Sequence, residues 1–203
     1  MIKILLFLKK KIPFIWHFIE FINGLIFKTL FYNRINKNAS SIIGEFADDK
    51  YTYRFLNEHD LDPLQQFFHN QDKEQFTFFK PHDFDIDTLR RLIKNPSFFM
   101  FGVFDNDKLV AYFFLRCFIN KKSFTGRMVD ANYQGQGIAK NMGRILHHIA
   151  WDSNFRVFGT ASTKNSKSIR SYQAINNFKI IKELDNDFIF FEYLKTEERI
   201  IPK

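Results

Sequence analysis

Residues 132–145 read NYQGQGIAKNMGRI, with Gly135 and Gly137 one residue apart just before a run of helical periodicity. Ile138, Met142, Ile145 and Ile149 share one face of that run, which predicts an amphipathic helix over 138–151. A helix N-terminus presents unpaired backbone N–H groups and the positive end of a dipole, and glycine lets that backbone approach a diphosphate. Counting excludes two well-known phosphate loops. A dinucleotide fingerprint would need a third glycine where Lys140 stands, at the mouth of a βαβαβ unit that this chain lacks. The Walker A run G-x-x-x-x-G-K-[ST] occurs nowhere in the chain.

The segments around the loop set its context. Upstream, YTYRFLNEHD (51–60) reads as a strand with Tyr51, Tyr53 and Phe55 alternating. Residues 60–71 read as a helix capped by Asp60 or Asp62, and 84–95 as a helix with an Ile86, Leu89, Leu92, Ile93 stripe. Residues 97–120 read as a hairpin turning at DNDK, and KSFTGRMVD (122–130) as the strand that feeds the loop. Downstream come a strand at 155–162, a helix at 165–176, and two closing strands around DND. The order β-α-α-β-β-β-α-β-α-β-β predicts an α+β fold, a mixed central sheet flanked by helices, with its body over 51–203.

What remains of the loop is Gln134-x-x-Gly137-x-Ala139 between a strand and a helix. It resembles the acetyl-CoA loop, Q/R-x-x-G-x-G/A, of the GNAT superfamily of N-acetyltransferases. Two further features carry the resemblance. MVDANYQGQG has that superfamily's strand-to-loop spacing, and NSKSIRSY matches its later N-x-x-[SA]-x-x-x-Y pattern through Asn165, Ser168 and Tyr172. The resemblance implies acetyl transfer to a small-molecule amine, with acetyl-CoA as co-substrate and no metal. It implies cofactor contacts from Met128, Val129, Gln134, Gly135, Gln136, Gly137, Ile138, Ala139, Lys140, Asn165 and Ser168. Val129 stands where a bulged fourth strand offers backbone N–H to the thioester carbonyl, and Tyr172 where a general acid protonates the leaving thiolate. Asn176-Asn177-Phe178 replaces the usual Gly-Phe, and asparagine is expected to supply the left-handed helix end in glycine's place. No motif specifies the base, for which Asp130, His82 and Asp83 are the candidates. FFKPHDF (78–84) also reads as a plain turn, with Asp83 or Asp85 capping the next helix.

Composition limits the other classes. The single cysteine, Cys117, excludes an internal disulfide and a cysteine zinc cage, and its apolar strand suggests a core residue in a reducing compartment. Adjacent His147 and His148 face different directions on a helix, so they do not form a metal pair. The net charge of +8 is unevenly spread. Residues 1–37 hold seven bases and one acid, Glu20, whereas the rest holds 23 bases and 21 acids. A nucleic-acid footprint on the body is therefore not expected.

The N-terminal 1–35 form an apolar, basic helical appendage in which His17, Glu20, Asn23 and Lys28 fall on one side. Phe14, Ile15, Phe18, Phe21, Ile22, Leu25 and Ile26 fall on the other. Lys9 to Lys11 interrupt any signal-peptide core, and Glu20 disfavours a membrane span. An in-plane membrane-interface helix fits best, at the inner face of a cytoplasmic membrane, and points to an amino sugar or a membrane-associated acceptor. Packing on the body or in a homodimer is the alternative. NKNASS (36–41) reads as a polar break, making 36–50 a linker. A non-catalytic CoA-binding scaffold is the other functional class.

Overall fold

The computed structural model describes residues 13–46 and 50–196. Helix α1 (Pro13–Phe27) passes through one π turn (Lys28–Tyr32) into α2 (Asn33–Glu45). Then follow β1 (Thr52–Phe55), α3 (Leu61–His69), α4 (Ile86–Ile93), β2 (Phe98–Asp105), β3 (Lys108–Cys117) and β4 (Lys122–Val129). The chain closes with α5 (Ile138–Asp152), β5 (Arg156–Ser162), α6 (Ser166–Gln173), β6 (Phe178–Leu184) and β7 (Phe188–Tyr193). From β1 onward this is the order predicted from the sequence.

The strands form one seven-stranded sheet in the order β1-β2-β3-β4-β5-β7-β6. Among the described strands only β4 and β5 pair in parallel, which makes the sheet mixed. Strands β2 and β3 are buried along almost their whole length, so both faces of the sheet are covered. One face packs Phe101, Val103, Phe113 and Leu115 under Met142, Ile145 and Ile149 of α5 and Ile35, Ala39 and Ile42 of α2. The other packs Phe98, Met100, Tyr112, Phe114 and Met128 under Leu64, Phe67 and Phe68 of α3 and Leu89 of α4. Cys117 is a core residue as expected, and burial pushes its thiol pKa well up.

The polar break at 36–41 is not a break. Residues 33–45 are helical, and the buried Ile35, Ala39, Ile42 and Ile43 form the i, i+4, i+7, i+8 stripe of one helix face. Arg34 donates to the Asp152 carbonyl and Asn38 to Ser153 Oγ at the C-terminal end of α5, while Phe46 packs on His148 and Tyr51 reaches Gln136 at its N-terminal end. Helix α2 therefore runs antiparallel along α5 as part of the core, and 36–46 is no linker.

Smaller differences have local causes. Asp85 caps α4 through Thr88 N–H. Asp60 does not cap α3 with its side chain, because its carboxylate is held by both Arg54 Nη atoms at 2.8 and 2.7 Å. The left-handed asparagine expected at the end of α6 is absent: α6 ends at Ala174 with φ of −69°, and the positive-φ asparagines are Asn106, Asn154 and Asn186. Asn176 is instead buried, and its Nδ2 donates to His147 Nδ1 at 3.1 Å.

Candidate active site

The site begins where β4 leaves β5. Their parallel register runs only from Lys122–Arg156 to Phe124–Phe158, after which β5 pairs with β7 alone. On its other edge β4 stays in unbroken register with β3, from Cys117–Ser123 to Ala111–Val129. The expected bulge is thus absent from the β3–β4 ladder, and the opening comes from the departure of β5. Asp130 N–H donates to Val110 O on the β3 side. Antiparallel alternation turns the N–H of Met128 the same way and those of Arg127 and Val129 toward the splay. Val129, rather than Met128, therefore offers a backbone donor there.

A cleft of about 730 Å³ opens at this point, within the size range of small-molecule sites. The loop and the start of α5 form one wall, with Gln134, Gly135, Gly137, Ile138, Ala139 and Lys140 all lining it. Gly137 is the N-cap of α5 at φ of +82°, a conformation that strains any side-chain-bearing residue. No side chain caps this helix end, so its first-turn N–H groups remain directed into the cleft. Gln134 Nε2 donates to Val129 O at 3.4 Å, tying the loop back to the strand.

Helix α6 forms the opposite wall. Asn165 caps it by accepting from Ser168 N–H at 3.0 Å, which places Asn165, Ser168, Ser171 and Tyr172 on the cleft. Arg127, which no sequence motif marks, joins them. Its guanidinium lies over the Tyr172 ring, 4.7 Å from the centroid, and donates to Ser171 Oγ at 3.1 Å. Gly143 of α5 leaves the room, since a Cβ there would stand 2.3 Å from Arg127 Nη1. Arg127, Lys140 and Lys167 add positive charge to the lining. The turn after α3 also lines the cleft, with Asp72, Glu74, Gln75, Phe78 and Phe79. Those two carboxylates were also missed in the sequence, where charged turn residues carry no signal.

Three sequence candidates lie elsewhere. Gln136 faces away from the cleft and accepts from Tyr51 Oη at 2.6 Å and Lys50 Nζ at 2.8 Å. Asp130 caps the short turn that follows β4 by accepting from Asn132 N–H at 2.9 Å. His82 donates through Nδ1 to the Asp83 carbonyl and accepts at Nε2 from Tyr112 Oη at 2.9 Å, ringed by Phe68, Phe84, Phe98 and Phe114. Desolvation lowers the His82 pKa and raises that of Tyr112 well above its usual value, so this pair is a neutral packing contact. None of the three lines the cleft, which removes the geometric basis for Asp130 or His82 as the base. Among the described residues no His, Cys, Asp or Glu group of metal-binding size occurs.

Comparison with known proteins agrees with this geometry. Residues 64–178, more than half of the chain, match the sequence profile of the Acetyltransferase (GNAT) family. A ribosomal-protein-S5-alanine acetyltransferase from Vibrio fischeri superposes with a TM-score of 0.61 at 14% identity, covering 76% of this chain and 98% of that one. A putative acetyltransferase from Salmonella typhimurium with its cofactor acetyl-CoA gives 0.60 at 14% identity, over 76% and 99%. Spermidine N-acetyltransferase from Vibrio cholerae, in complex with CoA and spermine, gives 0.57 at 17% identity, over 71% and 94%. At these identities the superpositions establish the fold. No curated protein sequence matches the chain.

Proposed function

Because the chain belongs to the GNAT family of acetyltransferases, we propose that it transfers the acetyl group of acetyl-CoA to a primary amine in the cleft between α5 and α6. One observation carries this reading. An uncapped helix N-terminus, a strand edge with outward N–H groups, and a tyrosine all face the same cleft.

Each group has a task. The first-turn N–H groups of α5, with Lys140 and Lys167, complement the phosphates of the co-substrate, which supplies the activated acyl group when bound. The Val129 N–H polarises the acyl oxygen as negative charge develops there. Tyr172 gives its proton to the departing thiolate. Arg127, held against the Tyr172 ring, keeps that ring in place and stabilises the negative charge that passes through it. Asp72 and Glu74 bind the incoming ammonium and take up its proton, and Phe78 and Phe79 enclose the carbon skeleton beside it. The N–C bond forms and the C–S bond breaks; the ammonium gives one proton to the carboxylates before attack, and the second proton shed by nitrogen as the amide forms replaces the one Tyr172 donates to the thiolate.

The acidic pair favours an amine with cationic character, so polyamines and amino sugars head the acceptor panel. The test is thiol release from acetyl-CoA over that panel by the full chain, with Asp72→Asn/Glu74→Gln alongside. Turnover on at least one amine, with KM for that amine raised in the double variant and KM for acetyl-CoA unchanged, is the expected result. Acetyl-CoA binding with no turnover on any amine would replace this reading by the non-catalytic CoA-binding one.

A further inference from the structure

Helix α1 sits the wrong way round for a helix of a water-soluble protein. Such a helix turns its apolar stripe to the core and its polar side to solvent. Here Asn23, Gly24 and Phe27 face the body: Asn23 Nδ2 donates to Ser97 Oγ at 3.3 Å, and Gly24 lies against Asn95 and Pro96. Phe27 is fully buried between Phe99 and Phe155. The opposite face holds Phe18, Phe21, Ile22, Leu25 and Ile26, and Leu30 of the π turn continues it, all exposed, with Phe21 65%, Leu25 55% and Leu30 61% accessible. Their spacing of three, one, three, one and four residues makes a single continuous stripe.

We infer that this stripe docks on an anionic lipid surface. Charge selects that occupant over a protein partner or a second copy. Lys28, in the π turn that continues the helix, is exposed, as are Arg34 and Lys37 in α2, and Lys9, Lys10 and Lys11 precede the helix in the chain. Glu20 is the one acid in residues 1–37. A second copy would bring the same positive charge against itself, whereas anionic headgroups neutralise it while the aromatic and aliphatic side chains enter the acyl boundary. Among the described residues no helix is long and apolar enough to cross a membrane, and Gly24 and Phe27 hold α1 against the body, which leaves its outer face to lie in the plane of the interface.

The attachment also stands apart from the cleft. Helix α1 packs where β2 begins, near Pro96 and Phe99, next to the C-terminal end of α5. The cleft lies at the N-terminal end of α5. Those ends are about 22 Å apart, from 15 residues at roughly 1.5 Å each. The stripe therefore holds the protein to the bilayer at a point about one α5 length from the acetylation site.

The test is sedimentation of the full chain with vesicles of phosphatidylcholine alone or with phosphatidylglycerol added, using wild type and Phe21→Asp/Leu25→Asp. Both substituted positions are exposed, so the thermal midpoint and acetyl-CoA affinity stay at wild-type values and certify the fold independently of lipid. Expected is binding to the anionic vesicles only, weakened by salt and reduced about tenfold or more in the double variant. Two results overturn the inference. One is no sedimentation with either vesicle; the other is a lipid-free dimer, seen by sedimentation velocity, that the double variant dissolves. Neither result bears on acetyl transfer, which is read separately by thiol release.

Discussion

Helices α1 and α5 have the same kind of sequence, an apolar stripe opposite a polar one, and the protein uses them in opposite senses. Helix α5 buries Met142, Ile145 and Ile149 in the core and leaves its N-terminal N–H groups open at the cleft. Helix α1 buries Gly24 and Phe27 and leaves its apolar stripe outside. A stripe therefore shows that a helix has two faces, and only the neighbours show which one the core takes. For α5 the neighbour is the sheet. For α1 it is the small surface of Pro96, Phe99 and Phe155, against which, among the described side chains, Phe27 and Gly24 pack.

Substitutions at the two helices separate their roles. The largest effect belongs to Gly137→Val, which puts a branched side chain at φ of +82° in the phosphate-facing wall. Acetyl-CoA affinity falls about a hundredfold or more by calorimetry, and the thermal midpoint drops by a few degrees for the strained backbone. Tyr172→Phe comes next: it removes the proton donor and lowers kcat about a hundredfold with KM for acetyl-CoA unchanged. Arg127→Met lowers kcat about tenfold, Arg127→Lys restores most of it, and in the Tyr172→Phe background Arg127→Met has no further effect. Phe21→Asp/Leu25→Asp changes none of these parameters on a soluble amine, and sharpens the contrast by acting on vesicles alone.

The smallest effect is one of pH. Burial holds the His147 pKa well below 6.5, and Arg127 and His148 push the same way. A buried neutral histidine must bind a proton to match the unfolded chain, so its stabilising share is complete above pH 6.5 and is lost as the pH falls toward its folded pKa. His147→Gln should flatten the decline in thermal midpoint below pH 6.5 while lowering the midpoint at pH 8 through the disturbed Asn176 and Tyr193 contacts.

The body was legible because its turns are marked. DNDK, DND and the glycines of the loop punctuate strands whose alternation is plain, and every element from β1 to β7 follows the predicted order. Residues 36–46 were misread because polar residues outnumber the buried ones, although Ile35, Ala39, Ile42 and Ile43 already carried the helical period. Of the site, the wall built from consecutive residues was readable, as were Asn165, Ser168 and Tyr172 by their spacing. Arg127 was not, because its place depends on the absent side chain of Gly143, 16 residues on in another element. Asp72 and Glu74 reach the cleft only through the packing of the turn after α3. Gln136 sat inside a matching motif yet points outward, since Tyr51, just before β1, draws its amide oxygen away.

The most direct test of the central claim is amide hydrogen exchange of the full chain with and without acetyl-CoA. The account predicts slower exchange at Arg127, Val129 and residues 135–140, where the splayed strand and the uncapped helix present their N–H groups, with α1 unchanged. Unaltered exchange at both segments under saturating acetyl-CoA would contradict it.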